Sequence, residues 1–310
     1  MEAVIDAPTR TFIEVTEVWV PEGDKLVFAD GSYGTLDAFE AVSRRETFAK
    51  GEGLPGKAWA EGRPKVLKAF DGSYFKRTEA AKAAGLTSAV AIPIFAGEAL
   101  KAVLVVLCAD DDERTGAIEI WQEDGGLLTL LDGYYGAAKH FEWVSQHTQF
   151  PRGQGLPGGV WSSNTPILMR DLGSGYRFIR AESAGQAGLT NGLGMPVQFP
   201  GGASCVLTLL SARGTPIARR FEIWDARASK TGQAKEAVLL DGICAREGPL
   251  WSEDNARRVA AWQGTIGRVL GSGVPALASG APRLSAGYES LVALPIYRGN
   301  ELAHIVAWYC

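Results

Sequence analysis

One set of markers occurs three times along this chain at a nearly constant spacing. Three glutamates each stand two residues before a tryptophan, and they follow one another at intervals of 102 and 103 residues. An Asp-Gly pair follows each glutamate, and a further glycine lies 26 residues beyond each aspartate. Fixed spacing is the signature of a repeat architecture, so three copies of one module are predicted. The glutamates are Glu17, Glu119 and Glu222, the aspartates Asp30, Asp132 and Asp241, and the glycines Gly56, Gly158 and Gly267.

Prolines extend the same register. One lies eight residues beyond each of those glycines, and another opens the last hairpin of each copy. The length of 310 residues suits three domains, since single domains usually hold about 100–150 residues. The predicted modules are 1–112, 113–215 and 216–310.

Each copy reads as a small α+β unit. Residues 12–20 and 25–29 are rich in β-branched and aromatic side chains around a Pro-Glu-Gly-Asp turn, which predicts a hairpin. A helix is predicted after residue 51, because Pro55 suits its first turn and Gly62 its left-handed cap. A second helix is expected over 76–84. The predicted order is β-β-α-β-α-β-β, an antiparallel sheet with short helices mainly on one face.

Several motifs resemble those of the GAF family of small-molecule-sensing domains. The first copy carries Gly-Leu-Pro-Gly-Lys-Ala-Trp at 53–59, Phe-Lys-Arg at 75–77, Ala-Gly-Leu at 84–86 and Ile-Pro-Ile at 92–94. The second copy matches at 155–161, 178–180, 187–189 and 195–197. This resemblance implies a sensory fold like the GAF modules attached to bacterial kinases and transcription regulators.

The third copy departs from the pattern. Gly-Leu-Pro-Gly has become Gly-Thr-Ile-Gly at 264–267, and no Phe-x-Arg follows. Its two prolines are closer together than those of the other copies, so the second helix is expected to be mostly lost. The third module is therefore predicted to be a degenerate structural cap without a pocket.

The connections between copies are too short for the long flanking helices of GAF domains. The first strand carries apolar side chains on both faces, and an exposed apolar sheet face is rare in soluble monomers. The three sheets are therefore predicted to pack on one another in a compact pseudo-threefold body. A homodimer is the alternative cover.

The resemblance places a ligand between the sheet and the helices, beside Trp59, Phe75 and Arg77 in the first copy. The matching residues of the second copy are Trp161, Phe178 and Arg180. An aromatic wall with one guanidinium suits a small anionic or planar ligand. The alternative is that the aromatics are core residues and each arginine pairs with a carboxylate. No catalytic residue or metal ligand is assigned.

The repeated carboxylates have two interpretations. The glutamates mark a binding surface or pair with arginines of a neighbouring repeat at a sheet junction. The Asp-Gly pairs are interpreted as turns, because glycine tolerates positive φ.

Charge and composition exclude other classes. The formal net charge is −4 without a basic cluster, which argues against nucleic acid as a partner. The start of the chain lacks the pattern of a secretory signal, and the apolar runs are too short to cross a membrane, so a cytoplasmic location is expected. The four cysteines are scattered, without the spacing of a zinc site or a disulfide framework.

The leading functional prediction is a sensor that binds a small molecule and acts through a separate regulatory protein. Its ligand and cofactors are not identified by the sequence. A scaffold whose pockets are filled by side chains is the alternative. Some GAF-fold proteins reduce free methionine sulfoxide with clustered cysteines, but the cysteines here lie in different copies, so an enzyme is not predicted.

Overall fold

The structure, a computed structural model, describes most of the chain. It covers residues 10–109, 113–174, 178–202, 204–227, 235–245, 247–250, 257–280, 284 and 287–310. Within these ranges, no helix combines the length and apolar character that crossing a membrane requires.

The first sheet has six antiparallel strands in the order β3-β2-β1-β6-β5-β4. The predicted first hairpin is confirmed as β1 and β2, and the predicted second helix is the short α3. Helix α1 was not predicted from the sequence. The elements are β1 (Val15–Glu22), β2 (Lys25–Ser32), α1 (Asp37–Ser43), β3 (Thr47–Ala49), α2 (Gly53–Glu61), β4 (Lys65–Leu67), α3 (Thr78–Ala83), β5 (Leu86–Ala96) and β6 (Ala99–Ala109).

The second sheet repeats this topology with five antiparallel strands in the order β8-β7-β11-β10-β9. A short 3-10 turn, Pro200–Gly202, lies in its last hairpin. The other elements are β7 (Thr115–Asp124), β8 (Leu127–Gly136), α4 (Lys139–Gln146), α5 (Gly155–Ser163), β9 (Ile167–Met169), α6 (Ala181–Gln186), β10 (Leu189–Gln198) and β11 (Ser204–Ala212).

The third sheet follows the order β14-β13-β12-β18-β17-β16, with β15 paired to β13. Among its described residues, α7 is the only α-helix. The elements are β12 (Arg220–Asp225), β13 (Glu236–Cys244), β14 (Gly248–Pro249), β15 (Arg258–Ala260), α7 (Gly264–Ser272), β16 (Ala276–Ser279), β17 (Ser290–Arg298) and β18 (Glu301–Tyr309). The α+β class with antiparallel sheets is confirmed.

A close backbone approach explains the glycine that recurs at the start of each main helix. A Cβ at Gly56 would lie 2.1 Å from the carbonyl oxygen of Ala49. The same test gives 2.3 Å at both Gly158 and Gly267, again against a backbone carbonyl oxygen. The helix can therefore sit against the preceding segment only if this residue has no side chain. The cap prediction also holds, since Gly62 ends α2 in the left-handed conformation with φ of 68°.

Side chains from all three sheets meet in one central cluster of buried residues. Strand β1 contributes Val18 to this cluster, while its neighbour Trp19 faces the helices of its own module. Equivalent contributions come from Ile120 in the second sheet and Ile223 in the third. Each sheet thus has two apolar faces, one on its own helices and one on the other sheets, which satisfies the need to keep apolar surface from water.

The last hairpins of the three sheets join in a closed circuit. The backbone N–H of Gly201 donates to Glu98 Oε1 at 2.8 Å, and that of Gly299 donates to Gln198 Oε1 at 2.7 Å. The N–H of Gly97 donates to the carbonyl oxygen of Gly299 at 2.8 Å, which connects the third sheet back to the first.

The repeated aspartates lie at the same junctions. Lys68 pairs with Asp132 at 3.5 Å, and Arg170 pairs with Asp241 at 2.5 Å. Asp30 pairs with Arg268 of the third module at 3.5 Å. Each of the three aspartates therefore forms an ion pair with a residue of another module.

The interpretation of the Asp-Gly pairs as turns is wrong. Gly31 lies inside strand β2, opposite Glu17, without a positive φ. The ring of Tyr33 crosses it so closely that a Cβ on the glycine would lie 2.5 Å from the ring. The local hydrogen bond expected of the aspartate is present, because Asp30 Oδ1 accepts from the N–H of Gly31 at 3.0 Å. The glycine makes room for a tyrosine rather than for a turn.

Candidate functional site

The first repeated glutamate is fully buried and accepts hydrogen bonds from three side chains. Trp19 donates its indole N–H to Glu17 Oε2 at 3.0 Å, and the Tyr33 hydroxyl donates to Oε1 at 3.0 Å. Arg77 reaches across from the loop before α3 and donates to both oxygens, at 2.5 and 2.9 Å. A buried carboxylate needs such partners because unpaired burial of charge is costly.

The Arg77 guanidinium lies in a box of aromatic rings. Its Cζ is 4.9 to 5.9 Å from four ring centroids, and the guanidinium also donates to the Ser43 hydroxyl at 2.5 Å. The residue is 3% exposed. The rings belong to Trp19, Phe39, Phe48 and Phe75.

The second module contains the same arrangement. Arg180 donates to both oxygens of Glu119 at 2.5 and 3.0 Å and to the Ser145 hydroxyl at 2.5 Å. Tyr135 and Trp121 donate to Glu119 at 3.1 Å each, and the Thr208 hydroxyl donates to Oε2 at 2.8 Å. Burial raises the pKa of Glu119, but the charge of Arg180 and the hydrogen bonds from Arg180, Thr208 and Trp121 together hold this pKa below its ordinary value.

The third module keeps the glutamate and changes its partners. Arg220, two residues earlier on the same strand, pairs with Glu222 Oε1. The Tyr309 hydroxyl donates to Oε2 at 2.9 Å, and Trp224 donates to the same oxygen at 3.0 Å. The carboxylate is therefore satisfied although this copy lacks the Phe-x-Arg motif.

These contacts place most of the predicted ligand residues inside the modules. Phe75 and Arg77 are buried together, as are Phe178 and Arg180. The glutamates pair with arginines of their own modules, so the expected pairing with a neighbouring repeat is wrong.

Trp59 and Trp161 are only partly buried. Lys50 Nζ lies 5.7 Å from the Trp59 ring centroid, and Arg152 Cζ lies 5.0 Å from that of Trp161. Trp161 also lines a small cavity of about 190 Å³.

The sequence reasoning missed the tyrosine and the serine that complete each site. Both recur at the repeat interval, as Tyr33 with Tyr135 and Ser43 with Ser145. Extending the spacing comparison to every polar residue would have found them.

A cavity of about 590 Å³ lies between the second and third modules. Buried Phe221 and Ala218 and half-buried Ile243 give it an apolar part. Thr190, Asn191 and the exposed carboxylate of Asp171 add polar groups. Ligand sites usually combine an apolar lining with a few polar groups in a volume of about 300–1,000 Å³.

Two arginines distinguish this junction cavity. Arg219 is half-buried and Arg213 is exposed, and both line the cavity. Neither guanidinium has a hydrogen-bond or ion-pair partner among the described residues, whereas Arg77 and Arg180 each pair with a buried glutamate. Unpaired guanidinium groups are well suited to bind a carboxylate or phosphate.

The thiols occupy separate environments. Burial raises the pKa of Cys108 and Cys205 well above the usual range of a thiol, and it raises that of Cys310 to about 11. Cys244, in the wall of the junction cavity, has its sulfur 3.1 Å from the Tyr288 hydroxyl. Thiolates are the reactive form, so burial disfavours thiol chemistry at Cys108 and Cys205.

Comparison with known proteins gives matches only among solved structures. No family model matches the chain, and no curated protein matches it. The A. aeolicus Nlh2 GAF domain in an inactive state is 25% identical over 33% of this chain and 60% of that one, with a TM-score of 0.27. The reduced form of fRMsr of Staphylococcus aureus is 20% identical over 33% and 60%, with a TM-score of 0.27.

The GAF-B domain of DevS from Mycobacterium smegmatis is 21% identical over 31% of this chain and 61% of that one, with a TM-score of 0.24. The matched region thus spans about three fifths of each of these structures. It is about one third of the present chain, and all three TM-scores are low.

Proposed function

We propose that this chain is a ligand-binding sensor rather than an enzyme, and that its ligand occupies the cavity between the second and third modules. Its three GAF-like modules, 1–112, 113–215 and 216–310, form a pseudo-threefold ring. The ligand is a small anion, and a separate regulatory protein reads the occupied state.

The single observation that carries this proposal is a cavity of about 590 Å³ lined by two arginines whose guanidinium groups have no partner in the part of the chain that the structure describes. Within the first two modules, the space beneath the helices holds the protein's own Arg77 and Arg180. A ligand at either place would have to displace a buried ion pair, which costs several kcal/mol. The junction cavity requires no such displacement.

Binding at a junction also supplies a route to a partner. A ligand that touches both modules favours whichever relative packing gives it more contacts, and it shifts the population towards that arrangement. The ring passes the change on, because every module contacts both of the others.

The proposal is tested by thermal denaturation of the full chain with single small anions: phosphate, sulfate, glutarate, citrate and benzoate. A ligand present at a hundredfold excess over its Kd adds about 2.7 kcal/mol to the free energy of unfolding, which is a measurable rise in Tm. The double variant Arg213→Gln, Arg219→Gln is expected to lose the rise. Arg45→Gln, at an exposed arginine of the first module, is the matched control and retains it.

Native mass spectrometry of the protein purified from its own cells adds an independent reading. A noncovalent mass of a few hundred daltons that the double variant does not carry supports the proposal. The proposal fails if no anion raises Tm and no mass is bound, or if the double variant behaves like the control.

A scaffold that binds no ligand is the second candidate. It is favoured because Arg77 and Arg180 occupy the space beneath the helices of their own modules. It predicts that closing the junction cavity leaves partner recognition unchanged. Ile243→Tyr is the test variant, since Tyr134 is the counterpart of Ile243 in the second module. A partner captured equally by the variant and by the natural chain would favour the scaffold.

A further inference from the structure

At the junction between the first and second modules, a side chain of the protein packs between the two modules. Phe12 is fully buried there, and its ring centroid lies 5.5 Å from that of Tyr134. A Cβ at Gly116 would lie 2.7 Å from the Phe12 ring, and one at Gly136 would lie 2.9 Å from it. An aromatic ring therefore packs directly on two glycines of the second module.

The segment that supplies this ring also supplies a carboxylate. Glu14 pairs with Arg114. The same guanidinium nitrogen, Nη1, also donates a hydrogen bond to the carbonyl oxygen of Thr11 at 2.9 Å. The first junction thus holds an aromatic ring and, close to it in the chain, a carboxylate bound to an arginine.

The repeat register identifies the counterparts of these positions at the second junction. Counted from the repeated glutamates, Gly116 corresponds to Arg219. Counted from the repeated aspartates, Tyr134 corresponds to Ile243 and Gly136 to Ala245. Arg219, Ile243 and Ala245 all line the junction cavity.

The substitutions change what the second junction can hold. Arg219 places a guanidinium where the first junction has a bare glycine, and the smaller Ile243 replaces a tyrosine. A planar guanidinium can stack on an aromatic face or pair with a carboxylate. At the second junction, the counterparts of the three residues around Phe12 line an open cavity.

We propose that the junction cavity binds a small aryl carboxylate, with the ring against Phe221 and Ile243 and the carboxylate on Arg219. This inference rests on the proposed function, because it takes the cavity to be a ligand site, and it adds the ligand class. The ligand supplies the same two kinds of group, a ring and a carboxylate, that the 11–14 segment provides at the first junction. Its arginine comes from a different register position, because Arg114 corresponds to Ile217 and Arg219 to Gly116.

The test is calorimetric titration of the full chain with 3-phenylpropionate. Two analogues separate its groups: 3-phenylpropanamide lacks the charge, and propionate lacks the ring. We expect the amide to bind about tenfold more weakly than the acid, because its carbonyl oxygen can still accept from Arg219 but lacks the charge that strengthens the bond. Propionate is expected to give no measurable heat, because little apolar surface is buried.

Variants locate the binding. Arg219→Gln is expected to weaken binding of 3-phenylpropionate about tenfold, because the glutamine amide can still donate but carries no positive charge. Ile243→Tyr, which restores the bulk of Tyr134, is expected to weaken binding by occupying the ring space. Arg45→Gln keeps the affinity of the natural chain, and the Tm of each free variant verifies that it folds.

The inference is overturned if 3-phenylpropionate does not bind, or if Arg219→Gln leaves its affinity unchanged. Equal affinity for the acid and the amide also overturns it. Its failure is distinguishable from failure of the proposed function: a non-aromatic anion whose thermal shift is lost in the double arginine variant rejects the aryl class and supports the junction site.

Discussion

The first and third modules bury the same glutamate and neutralise it in different ways. Glu17 receives its arginine from a loop 60 residues away, through the Phe-x-Arg motif before α3. Glu222 receives Arg220 from its own strand, two residues earlier. The third module has therefore lost the loop motif without losing the charge balance, which indicates that the buried carboxylate is the fixed element and the cation the replaceable one.

The tyrosine shows the same replacement. In the first module, Tyr33, directly after the second strand, donates to the glutamate, whereas in the third module Tyr309 on the last strand does so. A position can thus change while the hydrogen bond is kept. This difference favours a structural role for the glutamate sites.

The largest expected effect comes from removing the distant cation. Arg77→Met leaves Glu17 buried without its cation, and breaking a buried pair in this way costs about 3–5 kcal/mol. Chemical denaturation of the variant measures the loss. Arg45→Met is the control and is expected to change little, because it is exposed. An unchanged midpoint in Arg77→Met would show that the first module does not depend on its ion pair.

A smaller loss is expected in the third module. Arg220→Met should cost about 1–3 kcal/mol, the range for a buried group left without its hydrogen bond. The reason is exposure: the Arg220 side chain is 10% exposed and that of Arg77 is 1% exposed, so water can partly replace the lost partner. Denaturation under identical conditions compares the two. A larger loss for Arg220→Met than for Arg77→Met would reverse the comparison.

The pH dependence of stability tests the contribution of the buried Glu119 carboxylate. The folded pKa of Glu119 is depressed, so its contribution is fully present above the ordinary value of about 4.5 and is lost as the pH falls through the folded pKa. The natural chain is therefore expected to lose more stability on acidification than Glu119→Gln does. Urea denaturation of both between neutral and acid pH measures the difference, and parallel curves would contradict the assignment.

The smallest expected effects belong to the ion pairs between modules. Asp241→Asn keeps an acceptor for the N–H of Gly242 but removes the charge opposite Arg170. Partly exposed pairs contribute about 0.2–1 kcal/mol, and salt screens them. The difference between the variant and the natural chain is expected to shrink at high salt. A loss that is independent of salt would point to packing instead.

The sequence predicted the elements that depend on local chemistry and exact spacing. The first hairpin, the glycine-capped helix α2 and the antiparallel order of strands follow from turn residues, caps and alternation. Helix α1 was missed because its seven residues are too few to show a clear helical period.

The candidate site was harder to predict because its partners are distant in sequence. The alternative that arginines pair with carboxylates was stated, but the choice of Glu17 for Arg77 depends on how α3 lies over the sheet. The junction cavity lies between two modules, where Arg219 stands in place of Gly116 and Ile243 in place of Tyr134. A repeat comparison detects these exchanges, yet only the packed molecule shows that they share one space.

The closed circuit of hairpins has a consequence for how such a molecule can diversify. Three identical subunits around a threefold axis would have to carry every change three times, so a cavity opened at one interface would open at all of them. Linking the modules in one chain removes that obligation. The first junction can keep the buried Phe12, while the side chains at the second junction can change independently.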